Sequence, residues 1–174
     1  MHVLLLICLA LTGAGFVGGL LVAPPASERP DQTYLALGAG HYDALDNGDI
    51  AQDVDLRGEL RFAQRWGSAG LARVHPFAGL EASADARYAL GGVLADIRYE
   101  RWYLAPSLGA GLYEARHRAD LGATLEFRSQ FEFGHVFSDG QRLALALSHL
   151  SNAGLGDENP GVEVLTLYWQ WPWR

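Results

Sequence analysis

Polar and apolar residues alternate through most of the chain after residue 30. In TLEFRSQFEFGHVF, Leu125, Phe127, Phe131, Phe133 and Phe137 share one parity, and Glu126, Arg128, Gln130 and Glu132 share the other. VDLRGELRF sets Val54, Leu56, Leu60 and Phe62 against Asp55, Arg57, Glu59 and Arg61. RWYLAPSLGAGLY sets Trp102, Leu104, Leu108 and Leu112 against Tyr103, Ser107, Gly109 and Gly111. Successive side chains of a β-strand point to opposite faces, so each segment predicts a strand with one greasy and one polar side.

A soluble antiparallel sandwich alternates with its apolar face inward. A transmembrane barrel alternates with its apolar face outward, over segments of about 10 residues. The segments here are long enough to cross a bilayer when tilted. Their polar faces mix Glu and Arg with Gly, Ala and Ser, which suits a narrow lumen filled by paired charges. The pattern therefore predicts an all-β fold, an eight-stranded antiparallel transmembrane β-barrel. The strands fall at about 32–42, 53–64, 73–82, 87–98, 101–113, 122–137, 141–151 and 160–172. SDGQ at 138–141 is a tight-turn sequence. With strand 1 running outward from the periplasm, Trp66, Trp102, Trp169, Trp171 and Trp173 all fall at or near the periplasmic ends. That is the placement of an interfacial aromatic girdle.

Residues 3–22 carry no charge. At the extreme N-terminus such a run reads as an export signal. The expected division is a signal peptide over 1–26 and an outer-membrane barrel domain over 27–174. Cys8, the only cysteine, lies in the signal, so the exported chain has no disulfide. Net charge is −7, and all 13 basic residues are Arg. No basic surface for nucleic acid is visible.

The stretch LALALSHLSNAG at 143–154 raises a chemical question. Leu143, Leu145, Leu147, His149 and Ser151 share one parity, so a His and a Ser end a face made for hydrocarbon. On the next strand Glu163 shares the parity of Leu165, Leu167, Trp169 and Trp171. A hairpin centred on Gly156 pairs residues whose numbers sum to about 312 by the antiparallel rule, which sets His149 opposite Glu163 and Ser151 opposite Gly161. Opposed Cβ atoms lie about 4.5–5.5 Å apart. Ser151, His149 and Glu163 then have the order nucleophile, base and orienting carboxylate. A charge on the lipid face costs about 2–4 kcal/mol for Arg or Lys at mid-bilayer, less for Glu, and about 0–1 kcal/mol near the interface. Glu163 is tolerable only at a rim, and an amphiphile's ester bonds lie at that depth. Asn152, Gly154 and Asn159 also read as ordinary loop residues. Two other functions fit a small barrel: a non-catalytic role in adhesion or envelope stability, and another lipid-processing activity, such as a phospholipase or acyltransferase.

The segment SHLSNAGLGDENPGVEVL resembles the H-x-S-N-A…NPG-x-E segment of the PagL-type lipid A 3-O-deacylases of Gram-negative outer membranes. GAGHYDALD, PFAGLEAS, LAPSLGAGLY and LGATLEFRSQFEFGHVF resemble that family's other strands. The resemblance implies that Ser151, His149 and Glu163 are the catalytic triad and that Asn152, Gly154 and Asn159 lie around the oxyanion hole. The implied reaction is hydrolysis of the 3-O-linked acyl ester of lipid A, releasing a 3-hydroxy fatty acid, with no metal or organic cofactor. The implied partners are lipopolysaccharide and the outer membrane, and a homodimer is compatible with such a surface. One departure is the C-terminus, WPWR, which places Arg174 after the last aromatic residue.

Overall fold

The structure, a computed structural model, describes residues 31–45, 53–69, 72–116 and 119–173; the expected signal peptide lies outside them. The described chain forms β1 (Thr33–Tyr42), β2 (Asp53–Arg61), β3 (Gly67–Ala69), β4 (Ala72–Ala82), β5 (Ala86–Tyr99), β6 (Trp102–Leu104), β7 (Ser107–Ala115), β8 (Leu125–Val136), β9 (Arg142–Ser151) and β10 (Val162–Trp173). All pairings are antiparallel, and β1 pairs with both β2 and β10, which closes the sheet. Because β3 is a short hairpin arm against β4, and β6 and β7 are two parts of one barrel strand, the wall has eight strands.

Two departures from the expected strand limits have the same cause. β2 ends at Arg61, short of residue 64, because the next partner on β4 is Pro76. Phe62 N still donates to Pro76 O at 3.0 Å, but proline has no N–H to return. The pairing resumes three residues out of step, at Gly67 opposite Val74. The strand expected at 101–113 is interrupted at Ala105 and Pro106, again where an N–H is missing, and its register against β5 and β8 is unchanged across the gap.

The alternation is that of a membrane barrel. Leu80, Leu108 and Leu112 are 65–67% exposed on the outside, whereas Glu59, Arg128 and Glu132 are at most 2% exposed inside. Arg128 bridges Glu59 (2.7 Å) and Glu81, Arg61 bridges Glu59 and Glu132, and Arg142 meets Asp96 at 2.9 Å. Glu132 also accepts from Tyr103 and Gln170, and Arg57 donates to Ser148 and Gln130. These buried arginines thus each meet a carboxylate or another polar partner, the condition under which buried ions are tolerated. At one end the lumen is closed by an apolar cluster that includes Tyr42, Tyr88, Tyr113, Leu121, Leu150, Val162 and Val164. Tyr42 and Tyr113 share a hydrogen bond of 2.6 Å there.

All five Trp residues are exposed and gather at the opposite end. Trp102 stacks on Phe133, and Phe137 stacks on Trp169, with ring centroids 5.2 and 5.6 Å apart. An outward belt of this kind suits a membrane–water interface.

Candidate active site

β9 turns its even residues, Arg142 to Leu150, into the lumen and its odd residues outward. β10 does the same, with Val162, Val164, Thr166 and Tyr168 inside and Glu163, Leu165 and Leu167 outside. His149, Ser151 and Glu163 therefore share the outer wall, above a leucine-rich surface and at the end away from the Trp belt. Their inward neighbours Ser148, Leu150, Val162 and Val164 are almost wholly buried, which fixes the backbone that carries them.

The register is the expected one: Glu163 lies opposite His149. His149 Nδ1 and Glu163 Oε1 are 3.0 Å apart, with side chains 23% and 13% exposed. A carboxylate can only accept, so Nδ1 carries the proton in the neutral imidazole and Nε2 is left as the basic nitrogen. Ser151 is two residues along the same strand, about 6.5 Å away at Cα from the strand rise. On the other side of β9, Ser129 and Phe127 of β8 lie opposite His149 and Ser151.

After Ser151 the chain leaves the sheet through a loop built around Asn152, which is fully buried. Its Nδ2 donates to Leu121 O at 2.9 Å and Glu158 O at 2.7 Å, and its Oδ1 accepts from Gly154 N at 2.8 Å. Asn152 N donates to Asn159 Oδ1 at 3.1 Å. The main-chain N–H groups of Asn152 and Gly154 are thus engaged inside the loop. Asn159 uses its oxygen there, which leaves its amide NH2 as a donor. The strand-leading segment 119–124 is clamped to this loop: Gly122, at φ +90°, approaches Glu158 O so closely that a Cβ would lie 2.2 Å from it. For this reason β8 begins at Leu125 rather than at residue 122.

The structure brings His149 and Glu163 into contact, and ties Asn152, Gly154 and Asn159 into the one loop that follows Ser151. It adds the carbonyls of Leu121 and Glu158 and the close approach of Gly122, none of which has a sequence signal beyond the glycine itself. Gly161 is a further addition: it takes φ +68° at the foot of β10, beside the His149 ring. Its signal was in the pairing arithmetic, which set a residue without a side chain opposite Ser151.

Residues 53–172 match the family described as lipid A 3-O-deacylase (PagL). Two curated relatives, both lipid A deacylase PagL, come from Bordetella bronchiseptica (31% identical over 70 residues) and Pseudomonas aeruginosa (29% over 72 residues). These alignments span 39% and 40% of this chain, and about two fifths (39% and 42%) of the relatives' own length. Among solved structures, the crystal structure of the outer membrane enzyme PagL superposes with a TM-score of 0.61 at 18% identity, covering 80% of this chain and 99% of that one. Neisserial surface protein A superposes at 0.52 with 12% identity, covering 81% and 97%. At such identities the two structures speak for the barrel alone. The family match covers most of the chain, including every candidate site residue: the chain belongs to the lipid A 3-O-deacylase (PagL) family and is an integral β-barrel of the outer membrane.

Proposed function

We propose that the protein hydrolyses the 3-O-linked acyl ester of lipid A with a Ser151–His149–Glu163 triad on the lipid-facing side of the barrel wall. The observation that carries this reading is the 3.0 Å contact between His149 Nδ1 and Glu163 Oε1 on a leucine-rich outward face. A barrel with a purely structural task gains nothing from a desolvated acid–imidazole pair there. In an enzyme whose substrate is a membrane lipid, the same position lets the ester reach the nucleophile without leaving the bilayer.

Each step follows from the groups present. Ser151 Oγ attacks the ester carbonyl while its proton passes to His149 Nε2, and Glu163 holds the imidazolium. The oxyanion of the tetrahedral intermediate is met by donors from the 152–159 loop. Asn159 supplies its free amide NH2, and Asn152 and Gly154 hold the loop in shape. Collapse breaks the bond between the carbonyl carbon and the sugar oxygen, and the departing sugar 3-oxygen takes the proton from His149. Water, deprotonated by His149, then attacks the acyl-enzyme, and a 3-hydroxy fatty acid leaves as Ser151 regains its proton. Lipopolysaccharide is the implied partner, presented in the leaflet that bathes the site-bearing end.

The test is the mass of lipid A extracted from cells that make the protein. The expected result is loss of one 3-hydroxyacyl chain. Unchanged lipid A, alongside a barrel that shows the heat-modifiable mobility of an assembled protein, overturns the reading.

A further inference from the structure

We propose that Gly161 is a positioning residue for the base: the space left by its missing side chain is where the His149 imidazole sits, at the level of Ser151. The inference rests on the triad reading above. A Cβ at position 161 would lie 2.8 Å from His149 Cε1 and 3.3 Å from Nε2. Approaches below 3.0 Å are essentially unknown for real Cβ atoms, so an added methyl group must displace the ring. The ring has little freedom to yield in place, because its Nδ1 is held by Glu163 two residues further along β10. Glu163 anchors one edge of the imidazole, and Gly161 admits the edge that carries Nε2. Pushing that edge away moves the basic nitrogen from the nucleophile or stretches the Nδ1 contact.

The turn alone does not explain this arrangement. Gly154 has an equally left-handed φ of +81°, yet a Cβ there would meet nothing within 4 Å. At Gly161 the left-handed φ of +68° coincides with contact on the ring. Two substitutions separate backbone strain from lost space. Gly161→Ala adds both a Cβ and strain at positive φ. Gly161→Asn adds the Cβ, but asparagine visits the left-handed region far more readily than alanine. Gly140→Ala, at φ +88° and at the other end of the barrel, serves as a control for strain and close contact remote from the site, since its Cβ would lie 3.3 Å from Pro172 Cγ.

The experiment measures kcat and KM of the purified full-length protein on detergent-dispersed lipid A, with heat-modifiable mobility as the check on assembly. Displacing a catalytic group by about 1 Å costs roughly 10²-fold in rate. Gly161→Ala and Gly161→Asn should both lose between about 10-fold and 100-fold in kcat, with KM changed less than about twofold. Their pH–rate profiles should also shift, since the base has lost its setting. Gly140→Ala should keep the parent kcat and profile. Recovery of kcat in Gly161→Asn assigns the defect to strain and overturns the proposal. So does failure of Gly161→Asn to assemble, since the residue then serves the fold. Ser151→Ala, run in parallel, tests the underlying reading: activity surviving there defeats the triad. Activity lost in Ser151→Ala but kept in Gly161→Ala defeats only the role of Gly161.

Discussion

The two ends of the barrel obey one alternation rule and put different chemistry on the same outward face. At one end the outward residues include Trp66, Trp102, Trp169, Trp171 and Trp173, with Trp102 stacked on Phe133 and Trp169 on Phe137. At the other they include His149, Ser151, Glu163 and Ser129 among leucines, with an apolar cluster closing the lumen behind them. The Trp end lets amphipathic rings settle at an interface. The site end sets polar side chains at lipid depth, where each must have a partner or a use. An outward position is therefore defined by its depth as much as by its parity. Substitutions at the Trp end should alter anchoring and leave chemistry alone, and those at the site end should do the reverse.

The largest effect expected at the site end, short of removing the nucleophile, comes from Glu163→Gln. It keeps the shape but replaces an acceptor that holds the Nδ1 tautomer, and should lower kcat by roughly 10²–10⁴-fold with the barrel intact. A kcat within threefold of the parent would mean that the 3.0 Å contact has no part in catalysis. Asn159→Ala, which removes the available amide donor, should cost about 10²–10³-fold in kcat, read from steady-state hydrolysis. Between the ends, Arg128→Ala leaves Glu59 to Arg61 and Glu81 to Arg57 as their remaining cations in the lumen, and should destabilise the barrel by about 3 kcal/mol, measured by urea unfolding in detergent. Trp169→Ala removes a stacked ring and a 2.6 Å hydrogen bond to Gln141, and should cost about 1–2 kcal/mol of stability with kcat unchanged. Loss of activity there would erase the division between the ends.

The smallest effect concerns pH at the Trp end. Asp31 precedes β1 and meets Arg65 Nε and Arg73 Nη1, each at 2.9 Å. Burial alone would raise its pKa, but the hydrogen bonds and charges of Arg65 and Arg73 outweigh it and hold the carboxyl below its ordinary value. The clamp therefore contributes fully at neutral pH, above the unfolded-state pKa, and is lost as pH falls through the lowered folded-state value. Asp31→Asn should lower the unfolding midpoint at pH 7, with a smaller deficit once the pH is below the ordinary Asp value of 3.8. An equal deficit in both ranges would exclude the ionic clamp.

Much of the fold was legible because membrane and lumen impose opposite demands on alternate residues. Leu125 to Phe137 and Val54 to Phe62 could be assigned to faces without any contact being known. The pairing of His149 with Glu163 was legible too, since hairpin register is arithmetic once the centre is placed. The breaks at Phe62 and Pro106 were not. Parity runs unbroken through Ala105 and Pro106, so only the missing N–H of proline marks the gap, and its effect depends on which partner faces it. The engagement of the Asn152 and Gly154 amides was equally hidden. The carbonyls of Leu121 and Glu158 orient the Asn152 side chain whose oxygen accepts from Gly154 N, and backbone groups leave no trace in a side-chain pattern.

The central claim is that this barrel does its chemistry on its outer wall with Ser151. Its most direct test is the 3-hydroxy fatty acid released from purified lipid A by the purified protein and by Ser151→Ala, both verified as assembled barrels. The account predicts one equivalent of acid per lipid A molecule from the parent and none above background from the variant. Equal release from both would contradict it.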